Sequence, residues 1–152
     1  MKNGVTLSLL RIKEKGMLRE AGLSEIVKKK IPKERCVFVA RKRGNDALAP
    51  SDEIFHEFDK KKKTLEKKHG KGSIEAHNRA YLSCDYEKRF REQIMQDPEA
   101  LKELRNISEL AQKEDIFLVC YEGPSKACHR RILMRIAEER FNVQVSIQGV
   151  EP

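Results

Sequence analysis

Two cysteines, a glutamate, a histidine and an arginine lie close together in the stretch VCYEGPSKACHRRIL, residues 119–133. Thiol, carboxylate, imidazole and guanidinium groups are side chains that proteins use for nucleophilic and acid–base catalysis. The stretch passes from an apolar segment, through a short polar loop, into a helical pattern. Four kinds of site fit these residues: a reactive thiol, a metal site, an anion-binding loop, or a strand–turn–helix with structural cysteines.

Cys128 is the predicted nucleophile of this loop. If Ser125 is the N-cap of the following helix, Cys128 lies in its first turn, where free N–H groups and the helix dipole stabilise a thiolate. Cys120 ends the apolar strand, and Glu122 points to the same side if the strand continues. Together with His129, these groups would surround one small volume. The predicted catalytic residues are therefore Cys128, Cys120, Glu122 and His129.

Three further residues predict an anion-binding site beside these groups. Arg130 lies near the start of the helix, and Arg41 ends an earlier apolar run, CVFVAR. Ligands of open α/β sheets bind at the carboxyl ends of the strands, so both guanidinium groups are expected there. Arginine side chains and helix N-termini bind phosphate well. We predict that Arg130, Arg41 and Ser125 bind the substrate.

Structural and other chemical interpretations of the loop stay open. Cys120 is equally consistent with a small core residue, and Glu122 with a carboxylate that bonds backbone N–H groups. A phosphatase loop needs the two-pronged arginine fork where Lys126 stands. Zinc is conceivable through Cys120, Cys128 and His129, but the seven-residue gap between the cysteines exceeds the short spacing of zinc knuckles. We therefore assign no metal.

The elements that must position the loop are indicated by apolar periodicity. Continuous apolar runs predict buried strands, and apolar residues three or four apart predict helices. Residues 60–75 contain few apolar side chains and are expected to form an exposed, mobile connection. The predicted strands are residues 5–12, 36–41, 116–121 and 143–147. The predicted helices follow the N-caps Ser24, Ser51, Asp85 and Asp97, and a further helix follows the cysteine loop.

This alternation of strands and helices predicts a single α/β domain over residues 1–152. The expected architecture has three layers, with a mainly parallel sheet of about four to five strands covered by helices on both faces. No segment approaches the roughly 20 apolar residues that cross a bilayer. The four cysteines are unevenly spaced, so we expect reduced thiols, a cytoplasmic location and no membrane partner.

The net charge of +8 is concentrated in the first part of the chain. Residues 1–50 carry 13 lysines and arginines against 5 acidic residues, whereas residues 73–152 carry 12 against 14. A positive field attracts anionic partners, although solvated surface lysines produce the same composition. The charge predicts a small anionic substrate, nucleotide-like or phosphorylated, with nucleic acid as the alternative partner.

The cysteine loop also resembles a known family. The order Cys-x-Glu at residues 120–122, then Pro124 and Cys-His-Arg at residues 128–130, lies between an apolar strand and a helix. This order is similar to the family numbered 488 among domains of unknown function (DUF 488). The resemblance extends upstream through LAPSDEIFHEF and DYEKRFREQIMQDPEALKELRNISELAQKEDIFLVCYE, and so covers roughly residues 36–140.

The resemblance implies an α/β fold, an intracellular setting and a polar pocket around the Cys-His-Arg turn. It does not imply a reaction. Arg41 matches a basic residue that is typical of an earlier strand end in such sequences. Ala40 or Val39 stands where an acidic residue is often found, and this departure leaves any role of that acidic group without a counterpart here.

Two functions of different classes follow from these observations. In the first, the protein is an enzyme in which Cys128 is a nucleophile, or a redox thiol resolved by Cys120, while Glu122 or His129 transfers the proton. In the second, the basic first half binds nucleic acid and the protein is a binding or accessory module. A purely structural thiol cluster is the third interpretation. No motif indicates a particular cofactor or oligomeric state.

Overall fold

A four-stranded sheet lies at the centre of the computed structural model, which describes residues 16–151. All of its strands are parallel, in the order β2-β3-β1-β4. The strands are β1 (Leu18–Gly22), β2 (Cys36–Phe38), β3 (Ile116–Cys120) and β4 (Val145–Ser146). The predicted α/β fold with a mainly parallel sheet is confirmed. The strand predicted at residues 5–12 lies outside the described residues.

β3 occupies an inner position because its side chains are apolar on both faces. It pairs with β1 on one side and with β2 on the other, so that Cys120 lies opposite Gly22 and Val119 opposite Phe38. The carboxyl ends of three strands therefore meet at one edge of the sheet. Gly22 suits this edge, because a Cβ atom there would lie 2.8 Å from the carbonyl oxygen of Glu122.

Six helices pack around the sheet. They are α1 (Leu23–Lys29), α2 (Asp52–His69), α3 (Ile74–Ser83), α4 (Tyr86–Met95), α5 (Pro98–Ala111) and α6 (His129–Phe141). Helices α2 and α3 pack closely against each other as the α2–α3 hairpin, whose turn contains Gly70 and Gly72 at positive φ. None of the described helices combines the length and apolar character needed to cross a membrane.

Local capping explains where several helices begin. The side chains of Ser51, Ser73 and Asp97 each accept hydrogen bonds from N–H groups in the following turn, which confirms the predicted caps at Ser51 and Asp97. The predicted cap at Ser24 is wrong, because α1 begins at Leu23 and its N-cap is Gly22. The Glu25 carboxylate accepts a hydrogen bond from the Gly22 N–H. Asp85 occupies the N-cap position of α4, but its side chain makes no capping bond.

The hydrophobic core includes one face of α4, on which apolar residues recur every four positions. Tyr86, Phe90 and Ile94 are all buried there, and Leu104 of α5 and Leu118 of β3 belong to the same cluster. Side chains of α6 also belong to this cluster. It gives the strand ends that carry the cysteines a rigid support.

The expectation of a mobile connection at residues 60–75 is wrong. Helix α2 continues to His69, and α3 begins only a few residues later. Lysine and glutamate are good helix formers, so a lysine-rich segment needs few apolar contacts to stay helical. Phe58 and Leu65, seven residues apart, lie on the inner side, and Asp59 pairs with Lys63 one turn away at 2.9 Å.

Substitution of Lys61 by proline tests this helix. Lys61 is exposed in the middle of α2, where proline removes a backbone hydrogen bond and clashes with the preceding turn. We expect Lys61→Pro to lower the free energy of unfolding by about 3 kcal/mol, measured by urea denaturation. The control Lys61→Ala keeps the helix and is expected to stay within about 0.5 kcal/mol of the original. Equal stability of the two variants would contradict the helix.

Candidate active site

A cavity of about 350 Å³ lies at the carboxyl ends of β2 and β3. This is the edge of an open parallel sheet at which ligands bind. The predicted residues Cys120, Glu122, Cys128, His129 and Arg41 all line this cavity. The other lining side chains come mainly from elements outside the loop and include Lys42, Phe55, Phe58, Lys62, His77, Tyr81 and Tyr86.

The Cys128 sulfur faces an imidazole ring whose orientation is fixed. The Nδ1 atom of His129 lies 3.8 Å from the Sγ atom of Cys128, and its Nε2 atom lies 2.7 Å from the carbonyl oxygen of Val39. A carbonyl oxygen only accepts hydrogen bonds, so Nε2 carries a proton and donates it. In the neutral ring, Nδ1 therefore has a free lone pair directed at the thiol. This arrangement suits transfer of the Cys128 proton to His129.

Cys120 lies beside this pair, at the end of β3. Its Sγ atom is 3.4 Å from the Oε2 atom of Glu122, which confirms that Cys120 and Glu122 point to the same side. The two sulfur atoms and the near ring nitrogen of His129 lie within 4.8 Å of one another, and all three residues are buried. The Cys120 thiol can therefore donate a hydrogen bond either to the carboxylate or to Cys128.

The three groups shift one another's pKa values. Burial opposes ionisation of Cys128, but the hydrogen bond from Cys120 and the positive charge of His129 outweigh it, so the pKa of Cys128 lies well below its usual range. Burial also opposes protonation of His129, yet the neighbouring thiolate raises the pKa of that ring. The hydrogen bond to Cys128, together with burial, raises the pKa of Cys120. These pKa shifts favour a thiolate at Cys128, an imidazolium at His129 and a neutral thiol at Cys120.

The polar loop before α6 is held by a buried ion cluster, which we call the Glu20 cluster. The Glu20 carboxylate accepts hydrogen bonds from the Nε atoms of Arg130 and Arg131 at 2.8 and 2.9 Å, and from the N–H groups of Gln148 and Gly149. The side chains of the three charged residues are at most 3% exposed. Other N–H groups of the two arginines donate to carbonyl oxygens of the loop, at residues 122, 123 and 126, and to that of Val150.

The structure does not bring Arg130 and Ser125 to the lining of the cavity. Arg130 is buried in the Glu20 cluster, from where its charge helps to lower the pKa of Cys128. Ser125 does not cap α6, so that expectation is wrong: the N-cap is Cys128 itself, with extended backbone, and the helix starts at His129. The carbonyl of Ser125 instead accepts a hydrogen bond from Asn78.

Arg41 does line the cavity, and its surroundings limit how it can move. Its guanidinium group pairs with Asp52 at the start of α2 and lies 4.0 Å from the centre of the Phe55 ring. The Asp52 carboxylate is 80% exposed, so water weakens this ion pair. Lys42 is exposed and Lys62 is half-buried. The positively charged side chains Arg41, Lys42 and Lys62 therefore lie on the more exposed part of the cavity wall, whereas the two sulfur atoms lie in its buried part.

Helices α2, α3 and α4 also contribute residues to the cavity, and no sequence pattern predicted these residues. His77, Tyr81 and Tyr86 are buried and line the cavity, although they lie about 40 to 50 residues before the cysteine loop. Tyr81 and Tyr86 stack at 4.4 Å between ring centroids, and Phe58 packs edge-on against both tyrosines and His77. Helical spacing of His77 and Tyr81 indicates a shared inner face, but it does not distinguish a cavity wall from a core.

The same three groups that form the thiol site could hold a metal ion. Two sulfur ligands and one imidazole nitrogen are a set that zinc accepts, with a fourth position left for water or substrate. Within residues 16–151, the group of neighbouring ligand atoms contains only Cys120, Cys128 and His129. A thiophilic metal would compete with the proton and with any electrophile for the Cys128 sulfur.

Removal of the Glu20 charge tests how far the loop depends on the Glu20 cluster. Glu20→Gln leaves two buried guanidinium groups without a counter-charge, and we expect the free energy of unfolding to fall by about 3–5 kcal/mol. Glu109→Gln is the matched control, because its pair with Arg105 is exposed and is expected to contribute less than about 1 kcal/mol. Urea denaturation of both variants measures the difference. If the free energy of unfolding fell by the same small amount in both variants, the loop would not depend on the Glu20 cluster.

A known protein family matches the part of the chain that forms this site. The chain matches the family model described as the active DUF488-N3 subclade, DUF488-N3a, over residues 6–141. The match contains β1, β2, β3 and all of α6, and it includes every residue that lines the cavity. No curated protein and no solved structure matches the chain. The resemblance to DUF 488 is confirmed, and the chain belongs to the active DUF488-N3 subclade of that family.

Proposed function

We propose that this protein is an enzyme in which the Cys128 thiolate attacks a small anionic substrate, nucleotide-like or phosphorylated. The observation that carries the proposal is the fixed contact between Cys128 and His129. Nδ1 of the ring lies 3.8 Å from the sulfur, while Nε2 is committed to the Val39 carbonyl. A buried thiol beside an oriented base, in a cavity that reaches solvent, is the arrangement of an activated nucleophile.

The proposed nucleophile forms by proton transfer from Cys128 to Nδ1 of His129, and this transfer precedes substrate binding. The imidazolium then donates hydrogen bonds to both the thiolate and Val39, so the charge pair stays buried without an unpaired N–H group. The thiolate forms a covalent bond with the electrophilic centre of the substrate, and the bond from that centre to its leaving group breaks with the electron pair on the leaving group. The neutral thiol of Cys120 and the Glu122 carboxylate, which contact each other beside Cys128, would form hydrogen bonds or exchange protons with the bound substrate.

The charges and rings of the cavity support an anionic substrate with a planar part. Arg41, Lys42 and Lys62 would bind the anion, while the rings of Phe55 and Tyr86 would contact an aromatic or ribose-like portion. Lys62 lies 5.6 Å from the centre of the Phe58 ring, so a cation and an aromatic surface are available side by side. Arg130 would act through its charge and the loop it holds, not by contact with substrate.

Nucleic-acid binding is the second candidate function, and one observation favours it. Helix α2 carries exposed lysines beyond the cavity, at positions 60, 61, 63, 67 and 68. Side chains of this kind neutralise phosphates without reading sequence. Such binding would weaken steeply with salt and would survive replacement of both loop cysteines, whereas the enzyme proposal requires Cys128.

Thiol alkylation across pH tests the nucleophile. Because the pKa of Cys128 is lowered, its thiolate persists as pH falls below the ordinary thiol range near 8.5, and iodoacetamide should still label one thiol there. Labelling is followed by intact mass in buffer with a chelator, which keeps metals off the sulfur. Cys128→Ser should abolish this fast phase of labelling at low pH. His129→Gln should slow it about tenfold for each unit by which the pKa of Cys128 rises.

Two other cysteines provide the controls for this experiment. Burial raises the pKa of Cys36 and of Cys84, so neither should react at low pH. Cys84→Ser should therefore leave the fast phase unchanged. A fast phase that persists in Cys128→Ser, or its absence from the unsubstituted protein, would refute Cys128 as the nucleophile.

The charge of the alkylating reagent tests anion binding. Iodoacetate is anionic and iodoacetamide neutral, so the ratio of their rates at Cys128 reports the electrostatic potential in the cavity. Lys62→Gln should lower this ratio about three- to tenfold at low salt. Lys67→Gln removes an exposed lysine of the same helix that does not line the cavity and should leave the ratio nearly unchanged. Equal ratios in all three proteins would argue against an anion site at the cavity.

A further inference from the structure

We propose that His77 is a second base of this site, which activates the water molecule that releases the group bound to Cys128. This inference rests on the proposed function, since it presumes a covalent intermediate on that sulfur. His77 lies in α3, and its ring lines the same cavity as both cysteines. Its assigned role differs from that of His129, which generates the thiolate.

The hydrogen bonding of His77 fixes which nitrogen is basic. Its Nε2 atom lies 2.7 Å from the carbonyl oxygen of Ala127, the residue immediately before Cys128. The carbonyl can only accept, so Nε2 carries the proton and Nδ1 has the free lone pair. Among residues 16–151, no side chain or backbone group is hydrogen-bonded to that Nδ1 atom, and it is not among the fully buried unpaired atoms. Nδ1 is therefore available to accept a hydrogen bond from a water molecule that enters the cavity.

The environment of His77 keeps the ring neutral and in place. Burial lowers the pKa of His77, although the Ala127 carbonyl and Glu122 partly oppose this. The charged groups that face it are Glu122 and Lys126 from the loop and Lys62 from α2. The ring also packs edge-on against Phe58, with 5.0 Å between centroids. A neutral, oriented imidazole that lines a cavity has the properties of a general base.

A purely structural role does not account for this placement. The loop before Cys128 is already held by the next residue of α3, because Asn78 donates to the Ser125 carbonyl at 3.0 Å and accepts from the Ala127 N–H at 2.8 Å. The bond to the Ala127 carbonyl needs only a donor at position 77, and a side-chain amide would supply one without any basic nitrogen. The basic nitrogen of His77 is therefore not needed to hold the loop.

The position of His129 leaves the second step to another group. His129 follows Cys128 directly, it is buried, and its two nitrogen atoms face the sulfur and the Val39 carbonyl. Water has to reach a sulfur-bound group from the cavity, on the side that His77 lines. The two histidines, each with a fixed tautomer, then act in different steps. His129 generates the thiolate, and His77 activates the water molecule.

p-Nitrophenyl acetate is a suitable probe, because its ring fits an aromatic cavity and p-nitrophenolate leaves without a proton donor. In the first step the Cys128 sulfur bonds to the carbonyl carbon, and the ester C–O bond breaks with its electron pair on p-nitrophenolate. In the second, the water oxygen bonds to the same carbon and one water proton moves to Nδ1 of His77. The C–S bond breaks with its electron pair on sulfur, and His77 then passes its proton to solvent.

Burst kinetics with this probe separate the two histidines. We expect the unsubstituted protein to release about one equivalent of p-nitrophenolate rapidly and then turn over slowly. His77→Gln keeps an amide donor for the Ala127 carbonyl but has no basic nitrogen, so the burst should remain while the steady rate falls roughly 100-fold. Intact mass should show the acetylated protein accumulating. His129→Gln should instead slow the burst itself.

His56→Gln is the matched control, because His56 is an exposed histidine of α2 that does not line the cavity. It should leave both phases unchanged. An unchanged steady rate in His77→Gln, or a burst lost together with it, would overturn the assignment of His77. A protein without any burst would instead refute the proposed nucleophile, and this inference with it. If His77→Gln unfolds early by circular dichroism, the same two phases are measured in His77→Asn.

Discussion

A single buried carboxylate, that of Glu20, determines the geometry on which the rest of the site depends. It joins β1 to the first turn of α6 through Arg130 and Arg131, and to the last described residues through the N–H groups of Gln148 and Gly149. Burying three charges costs much solvation energy, which only complete hydrogen bonding offsets. Because both guanidinium groups also bind loop carbonyls, the shape of the cysteine loop follows from the position of one carboxylate.

The surroundings of Cys128 explain how its thiolate would be stabilised inside the protein. An isolated anion in a protein interior returns to its neutral form. Here the negative charge on Cys128 has an imidazolium at 3.8 Å, a thiol donor in Cys120 and the charge of Arg130 nearby. The Val39 carbonyl completes the arrangement, because it keeps the His129 ring turned toward the sulfur. Ionisation is thus distributed over a small set of groups that the fold holds together.

Sequence patterns predict what depends on near neighbours. The apolar run of β3 and the Asp97–Pro98 helix start are confirmed, and so is the convergence of Cys120, Glu122, Cys128 and His129 on one cavity. Long-range pairing is not accessible in this way, so Glu20 and its arginines, 110 residues away, are not predicted as a pair. The lysine-rich part of α2 is misjudged because few of its side chains are apolar. His77 escapes notice since a histidine in a helix has no local signature.

The α2–α3 hairpin and the sheet edge contribute different parts of the cavity. The hairpin supplies Phe55, Phe58, Lys62 and His77, whereas both cysteines and His129 come from β3, the loop and α6. Under the proposed function, the hairpin residues other than His77 would determine which ligand is bound, and the sheet edge would carry the sulfur chemistry. Exchange of Phe55, Phe58 or Lys62 would then change the preferred ligand and leave the buried charges around Cys128 in place.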